Sequence, residues 1–205
     1  MPRITLPIFA GYLVTNGPSK VTKVLEARRA QDGPDTYAAG DHYIHLRAPM
    51  REAFLAGGDP QPLRDVLTAL RDPKKIRSHQ AVVEGLTRFF NATEFEARPI
   101  QKQDWTHGEL TVSVNPTARL LIGDLWHVAY VHLKADDLDA RIAAPVLELI
   151  GLTHGTLGTP MIVEARTGKV HRPSRSARTR RGLQALLEGE AEALVRMWHG
   201  IEEVA

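Results

Sequence analysis

Apolar side chains recur at intervals of three and four over two long segments of the chain, as they do in amphipathic helices. The first begins at Asp72-Pro73, a helix start, and carries its apolar stripe from Ile76 to Phe90 before Asn91 ends it. The second stripe comprises Leu183, Leu186, Leu187, Leu194, Met197, Trp198 and Ile201, with Glu190 interrupting it. The pattern predicts a middle helix and a C-terminal helix, the latter packing on the core or binding a partner.

Strict alternation of apolar and polar side chains marks strands between these two helices. Leu110–Asn115 alternates with period two, and Leu120–Ile122 and Leu125–Lys134 follow after short turns. Turns this short imply that the three strands are antiparallel neighbours. A further strand at Pro160–Glu164 comes after another helix, so it is expected to join the same sheet by a crossover.

Shorter elements connect these segments. Asp136-Asp137 is expected to cap a helix at Leu138–Ile150, and the glycine-rich segment Gly151–Gly158 is expected to be a loop. A strand is expected near Glu94–Ile100, followed by a polar loop at Gln101–Gly108.

The N-terminal third is expected to start with a strand or extended segment. The apolar run Ile4–Val14 predicts it, and Asn16-Gly17-Pro18 closes it as a turn. Ser19 is expected to cap a helix that continues to about Ala30. Three short elements are expected next: a strand at Asp41–Arg47 and helices at Pro49–Ala56 and Gln61–Leu70.

These elements predict an α/β (α+β) fold with a central mixed, largely antiparallel sheet flanked by helices. The 205 residues are expected to form one domain, with a strand and helical region at 1–72 and an α-βββ-α-β-α core at 73–205. No cysteine occurs, which excludes disulfides and thiolate metal sites. The longest nearly uncharged apolar run is too short to span a bilayer, and a cytoplasmic location is expected.

Charge is unevenly distributed, although the net charge is only +2. Residues 165–187 hold seven cations and no acidic residue. These cations are Arg166, Lys169, Arg172, Arg175, Arg178, Arg180 and Arg181. Arginine suits bidentate contacts with phosphate, and Ser176 or Thr179 is placed to cap the helix that follows, so DNA or RNA is the expected partner. The alternative is a solvated loop whose arginines pair with Glu188, Glu190 and Glu192.

Several common catalytic patterns do not occur in the sequence. Nine histidines are present, but neither His-x-x-x-His nor His-Glu-x-x-His is found. The chain also has no Gly-x-Ser-x-Gly elbow, no Walker loop and no Gly-x-Gly-x-x-Gly fingerprint. These absences give no support to zinc-peptidase, serine-hydrolase and common nucleotide-binding signatures.

The helix, three strands, helix and strand between about Ile76 and Arg166 resemble the core of the PD-(D/E)XK, or restriction-endonuclease-like, superfamily. The resemblance implies an acid on the second strand and an acid-x-Lys on the third, which together bind a divalent metal for phosphodiester cleavage. Lys134 then matches the lysine, Asp124 the first acid, and Glu84 an extra acid on the first helix. His132 stands where the second acid belongs, and Asn115-Pro116 is an uncharged alternative for the first.

This departure implies a protein that keeps the fold and a nucleic-acid surface but has lost cleavage, because Mg²⁺ prefers carboxylate oxygens to imidazole. Mg²⁺ or Mn²⁺ is expected only if the site is intact. Glu164-Ala165-Arg166 is a second, lower-ranked acid-x-base triplet. Two other functions remain open: an interaction protein that dimerises or docks through its C-terminal helix, and an active metal-dependent nuclease.

Overall fold

The computed structural model describes residues 1–33, 42–134 and 138–202. Seven helices lie in these ranges: α1 (Leu6–Leu13), α2 (Ser19–Asp32), α3 (Ile44–Leu55), α4 (Gln61–Ala69), α5 (Pro73–Ala92), α6 (Ala140–His154) and α7 (Ala177–Glu202). Eight strands accompany them: β1 (Arg3–Thr5), β2 (Glu96–Arg98), β3 (Gln103–His107), β4 (Leu110–Val114), β5 (Ala118–Ile122), β6 (Leu125–His132), β7 (Thr159–Glu164) and β8 (Val170–His171). The fold is therefore α+β, with helices flanking mixed sheets.

The larger sheet has five strands in the order β2-β5-β6-β7-β8. Its neighbours are antiparallel except for β6 and β7, which are parallel and are joined through α6. A parallel pair needs such a crossover because the chain must return to the same end of the sheet. The predicted crossover of Pro160–Glu164 is confirmed.

The smaller sheet has the order β1-β4-β3, with β1 parallel to β4. The three strands expected as one antiparallel meander therefore divide between two sheets, and the prediction that β4 neighbours β5 is wrong. The switch occurs at Asn115-Pro116, where the proline has no amide hydrogen to continue a ladder. Pairing resumes at once, since the amide of Thr117 donates to the carbonyl of Ala129 on β6.

Side chains from the two faces of the larger sheet enter two different cores. Val128 and Ile162 pack with α6, α7 and the smaller sheet. Ala129, Met161 and Val163, on the opposite face by the period-two rule, pack with α3, α4 and α5. The larger sheet is thus the middle layer between α6–α7 and α3–α5.

Close packing fixes α5 against the end of β7. A Cβ atom at Gly85 would lie 2.2 Å from the carbonyl oxygen of Ala165, so only glycine fits. One turn further on, the Arg88 guanidinium donates to the carbonyl of Arg166 at 2.7 Å. The middle helix predicted from Ile76 to Phe90 is confirmed and lies directly over this strand end.

Two expected strands at the N terminus are wrong for most of their length. In Ile4–Val14 only the first residues are extended, and α1 follows with Pro7 in its first turn, where a missing amide costs nothing. In Asp41–Arg47 the structure has α3 from Ile44 onward, and Asp41 lies outside the described residues. Both runs are short and apolar, and periodicity does not separate helix from strand in such runs.

Several boundaries also differ from expectation. The expected loop Gln101–Gly108 contains β3, and the first four residues of Gly151–Gly158 complete α6. Asp139 caps α6 by accepting the amides of Arg141 and Ile142; Asp136-Asp137 lies outside the described residues. Pro18, rather than Ser19, occupies the N-cap of α2.

None of the helices in the described ranges combines the length and apolar content that a membrane crossing requires.

Candidate nucleic-acid interface

Asp124 is separated from the other residues of the expected metal site. It lies in the exposed turn before β6, whereas His132 is the last residue of that strand. A strand rises about 3.3 Å per residue, so the eight residues of β6 hold Asp124 and His132 roughly 25 Å apart. The expectation that Asp124 shares a site with His132 and Lys134 is corrected by this geometry.

Glu84 and His132 are placed on opposite faces of the larger sheet. Glu84 is exposed on α5 and accepts a hydrogen bond from Gln80 at 2.9 Å. His132 is half-buried and follows Val128 and Tyr130 on the α6–α7 face by the period of two. Lys134 is exposed just beyond β6. The four residues carried over from the family therefore do not converge.

Asn115, the uncharged alternative to Asp124, lies at the same end of the sheet as His132. Because β5 and β6 are antiparallel, residues that precede Ala118 lie beyond Ala129, toward the carboxyl end of β6. The side-chain oxygen of Asn115 accepts a bond from Arg51 on α3 at 3.3 Å. The alternative position for the first acid of the family therefore carries an amide that contacts a cation, and not a carboxylate.

Glu164 belongs to the lower-ranked acid-x-base triplet Glu164-Ala165-Arg166, and its carboxylate lies at this end of the sheet. It is the register partner of His132 and is bound by two groups: His171 Nε2 at 2.5 Å and the Thr167 hydroxyl at 2.8 Å. Burial alone would raise the pKa of Glu164, but these hydrogen bonds and the charges of His171 and Lys169 lower it below its usual value. Glu164 is therefore held as a partnered anion.

Across residues 1–33, 42–134 and 138–202, no three histidine or acidic side chains are grouped so as to hold a metal ion. Glu164 and His171 form a pair, and Asp124 and Glu84 lie elsewhere. The carboxylate set that the family resemblance implies for Mg²⁺ is not assembled by the described side chains.

The seven cations of the basic segment divide into two groups. Arg166 and Lys169 lie in the turn after β7, at the carboxyl end of that strand. The chain then runs antiparallel to β7 through β8, so Arg172 lies toward the amino end of β7. Burial lowers the pKa of His127, and the charge of Arg172 lowers it further. The remaining arginines follow in the loop and first turns of α7.

Arg172, Arg175, Arg178 and Arg181 are exposed, and we call these four residues the arginine cluster. Within the described part of the chain, no carboxylate forms an ion pair with any of them. Arg178 and Arg181 are three residues apart on α7 and are therefore neighbours on its surface. The cluster is a solvent-facing group of cations without internal neutralisation.

The carboxylates expected to neutralise the arginines have other partners. Glu188 accepts from Gln184, Glu190 pairs with Lys20 at 2.5 Å, and Glu192 lies 3.4 Å from His107. The alternative in which these three acids pair with the basic segment is thus wrong. Distance along the helix explains it, because these acids are about two to four turns beyond Arg178 and Arg181 on α7.

Arg180 differs from the cluster because it is paired. Its Nε donates to Oε2 of Glu148 at 3.1 Å, and the Glu148 side chain is only 5% exposed. Glu148 was not identified from sequence, because it lies within an apolar stretch of α6 and matches no pattern. A single acid in a long apolar run was the available signal, since buried carboxylates require a partner.

The first turn of α7 is unusual in the charges that it carries. Ser176 caps it by accepting the amide of Thr179 at 3.2 Å, which confirms one of the two expected caps. No acidic residue lies in the first turn, where Arg178 and Arg180 stand instead. Cations there oppose the helix dipole, so the arrangement costs stability.

A small cavity adjoins this helix start, between α6 and α7. It is partly open to solvent and has a volume of about 190 Å³, and its walls include Glu148, Gly151, Gly158, Pro160, Pro173 and Arg180. Gly158 is required there because a Cβ would lie 2.6 Å from the carbonyl oxygen of Trp126 and φ is +155°. The cavity therefore contains the ion pair of Arg180 with the buried Glu148 in its wall.

Comparison of the chain with protein-family models, with curated proteins and with solved structures found no match.

Proposed function

We propose that this protein associates with nucleic acid, and that the arginine cluster holds the phosphate backbone. The observation that carries the proposal is the exposure of four arginines that no described carboxylate neutralises. A guanidinium in this state offers its planar fork of donors to phosphate oxygens. Each phosphate that it neutralises releases a condensed counterion, which drives binding at low salt.

The restriction-endonuclease-like core is part of the proposal, in a form that has lost cleavage. The order α5, β2, β5, β6, α6, β7 supports the resemblance, with the β3–β4 hairpin as an insertion between β2 and β5. The amide of Asn115 and the imidazole of His132, where the family carries acids, support the loss of metal-dependent cleavage.

The test is a salt titration of binding to fluorescent single-stranded and duplex DNA and RNA, read by anisotropy. With four phosphate contacts, log Kd is expected to rise with log salt at a slope of roughly 3 to 4. The triple variant Arg175→Glu, Arg178→Glu and Arg181→Glu is expected to lose about tenfold or more in affinity and to lower that slope. Arg180 is left unchanged because it is paired with Glu148.

A matched control carries Arg71→Glu, Lys74→Glu and Arg77→Glu, three exposed cations around the start of α5, on the other side of the larger sheet. It changes the net charge by the same amount. Glutamates in the first turns of α7 favour the helix dipole, so lost binding in the cluster variant does not follow from unfolding. Equal losses in both variants, or affinity that salt does not change, would contradict the proposal.

A second candidate is an interaction protein that docks through α7. It is favoured by a groove of about 390 Å³ along α7, lined by Tyr12, Leu186 and Met197 among others, with Leu186 46% exposed. Light scattering of the wild type and of Leu186→Glu tests it. A dimer that dissociates in the variant supports docking, and a wild-type monomer at high concentration argues against self-association.

The third candidate, an active nuclease, is tested by incubating DNA and RNA with Mg²⁺ or Mn²⁺. Cleavage abolished by Lys134→Ala would support it, and intact substrate under all conditions leaves the degenerate form.

A further inference from the structure

Two arginines stand directly opposite each other on neighbouring strands of the larger sheet. Arg98 of β2 and Arg119 of β5 are register partners in an antiparallel pair, so their side chains lie on the same face. Like charges in opposite positions repel each other and destabilise a sheet. A pair of this kind therefore needs a further group that compensates the repulsion.

Trp126 on β6 supplies part of this compensation. The centroid of its ring lies 4.1 Å from Cζ of Arg119 and 5.0 Å from Cζ of Arg98, so one indole makes cation–π contacts with both guanidinium groups. These contacts hold the two groups at the same place on the sheet. An indole carries no net charge, so the two positive charges remain without a counterion there.

The described part of the chain provides no anion for these two charges. No carboxylate in it forms an ion pair with Arg98 or Arg119, although Glu96 lies on the same face, two residues before Arg98. Nε of Arg119 is buried and has no hydrogen-bond acceptor among the same residues. Arg98 is exposed, so an anion from solution can reach the pair. An oxyanion such as phosphate matches two adjacent guanidinium groups, because it offers several acceptor oxygens.

The pair lies on the side of the sheet where the arginine cluster begins. Val128 is the register partner of Arg119 on one side and of Pro160 on the other, so one row of residues crosses the sheet from β2 to β7. Neighbouring strands are about 4.8 Å apart, which makes this row about 14 Å long. Pro160 lines the same cavity as Pro173, the residue that follows Arg172. At about 3.4 Å or more per nucleotide, roughly four to five nucleotides of one strand cover the length of the row.

We propose that Arg98 and Arg119, held against Trp126, bind phosphate groups of the same nucleic-acid strand that the arginine cluster binds. This inference rests on the proposed function and deepens it, because it adds a second contact region for the same partner. A strand joins the two regions only if it is long enough to reach both. Affinity and its dependence on salt are therefore expected to increase with strand length until both regions are occupied.

The first test measures binding of labelled oligothymidylates of about 5 and about 20 nucleotides, read by anisotropy. The double variant Arg98→Gln, Arg119→Gln is expected to bind the long strand about fivefold or more weakly than the wild type, and to lower the slope of log Kd against log salt by about 1 to 2. The short strand is expected to lose less, because the arginine cluster alone can hold it. The matched control is Arg64→Gln, Arg77→Gln, two exposed arginines of α4 and α5 on the other side of the sheet, which should keep wild-type affinity.

The outcomes separate this inference from the proposed function. Wild-type affinity and slope in the double variant overturn the inference while the proposed function stands. No binding of either strand by the wild type at low salt overturns both. If circular dichroism shows that the double variant does not fold, Arg98→Gln alone, at an exposed position, is expected to lower the slope by about 1, and an unchanged slope overturns the inference.

The fluorescence of Trp126 gives a second, independent readout. A base next to a phosphate bound by the pair lies close to the indole, so saturating oligothymidylate is expected to quench the tryptophan emission of the wild type. Trp126→Phe is expected to lose at least about half of this quenching, because stacking and contact with a base affect the nearest indole most. Trp105→Phe, which removes the half-buried indole of β3 in the smaller sheet, should retain it. Quenching that Trp126→Phe leaves unchanged would overturn the inference.

Competition with inorganic phosphate, against chloride at matched ionic strength, distinguishes a strand from a free anion. A single phosphate ion engages one region, whereas a long strand engages both, so inorganic phosphate is expected to displace the labelled strand at least about a hundredfold less effectively than unlabelled oligothymidylate does. Displacement at an equal concentration of phosphate groups would assign the pair to a free phosphate ion and overturn its assignment to a strand.

Discussion

Nε2 of His171 lies 2.5 Å from Oε1 of Glu164, and the two side chains join β7 to β8 on the α6–α7 face of the larger sheet. β8 has only two residues, so this side-chain contact adds to the short backbone pairing that attaches it to β7. The attachment places the basic segment, because the arginine cluster begins with the next residue after His171. The pair thus connects the stability of the sheet edge to the proposed interface.

Glu164→Gln is expected to lower stability at neutral pH, and the loss should fade in acid. The folded pKa of Glu164 lies below its ordinary value of 4.5, so its contribution is complete above that pH and is lost as the pH falls through the folded pKa. Replacing a partner in a buried charged hydrogen bond costs about 1–3 kcal/mol. Urea unfolding at several pH values measures it, with exposed Glu84→Gln as control; a difference that grows in acid would contradict it.

Gly85→Ala is expected to destabilise the protein by about 1–3 kcal/mol or more, because its Cβ would lie 2.2 Å from the carbonyl oxygen of Ala165 in the turn after β7. Gly189→Ala is the control. A Cβ there meets no described atom within 4 Å, and alanine in a helix is favoured over glycine by about 1 kcal/mol. Thermal unfolding should shift in opposite directions for the two variants. An unchanged melting temperature for Gly85→Ala would show that α5 is not held this closely.

His79→Phe is expected to make stability less sensitive to mild acid. His79 is fully buried on α5, and burial, followed by the charge of His42, lowers its pKa below the ordinary 6.5. The unfolded chain therefore takes up a proton more readily than the folded one, and stability falls as the pH drops below 6.5. Unfolding midpoints at pH 7 and pH 5, values that bracket the histidine range of about 6.5, test this. Leu55→Phe, at an exposed apolar residue of α3 that does not titrate, should leave the pH dependence as in the wild type.

Arg180→Ala and Glu148→Ala are expected to be non-additive. Arg180→Ala leaves a buried carboxylate without its partner, a loss that solvent reduces because the Arg180 side chain is 52% exposed. The double variant should therefore lose less than the sum of the two single losses. A double-mutant cycle by urea unfolding measures this coupling, which is expected at about 0.5–3 kcal/mol. Strict additivity would mean that the ion pair does not hold α6 to α7.

Long periodic segments were predictable from sequence, and pairings between distant residues were not. The stripe from Ile76 to Phe90 repeats over several turns, which only a helix satisfies, and α5 follows it. The alternation in Leu110–Asn115 identifies β4 as a strand but contains nothing about its neighbours. Its partner β1 lies more than 100 residues away in the chain, and no local pattern encodes that pairing.

The candidate site shows the same division between local and distant information. Exposure of the arginine cluster follows from local composition, since closely spaced arginines are rarely buried. Asp124 and His132 were assigned to one site from the order of the elements in the chain. That order does not show that the two residues lie at opposite ends of β6. The role of Glu148 could not be predicted, because its partner Arg180 lies on another helix, 32 positions later.

Arg3–Thr5 forms the border strand of the smaller sheet, next to β4. Leu110, Val112 and Val114 of β4 are fully buried. Without Arg3–Thr5, the edge of β4 would therefore expose unpaired backbone groups next to a row of apolar side chains. Exposed borders of this kind recruit strands from other molecules. Arg3–Thr5 therefore covers an edge of β4 that would otherwise be open to pairing with other chains, and deleting these residues is expected to increase aggregation before it affects the arginine cluster.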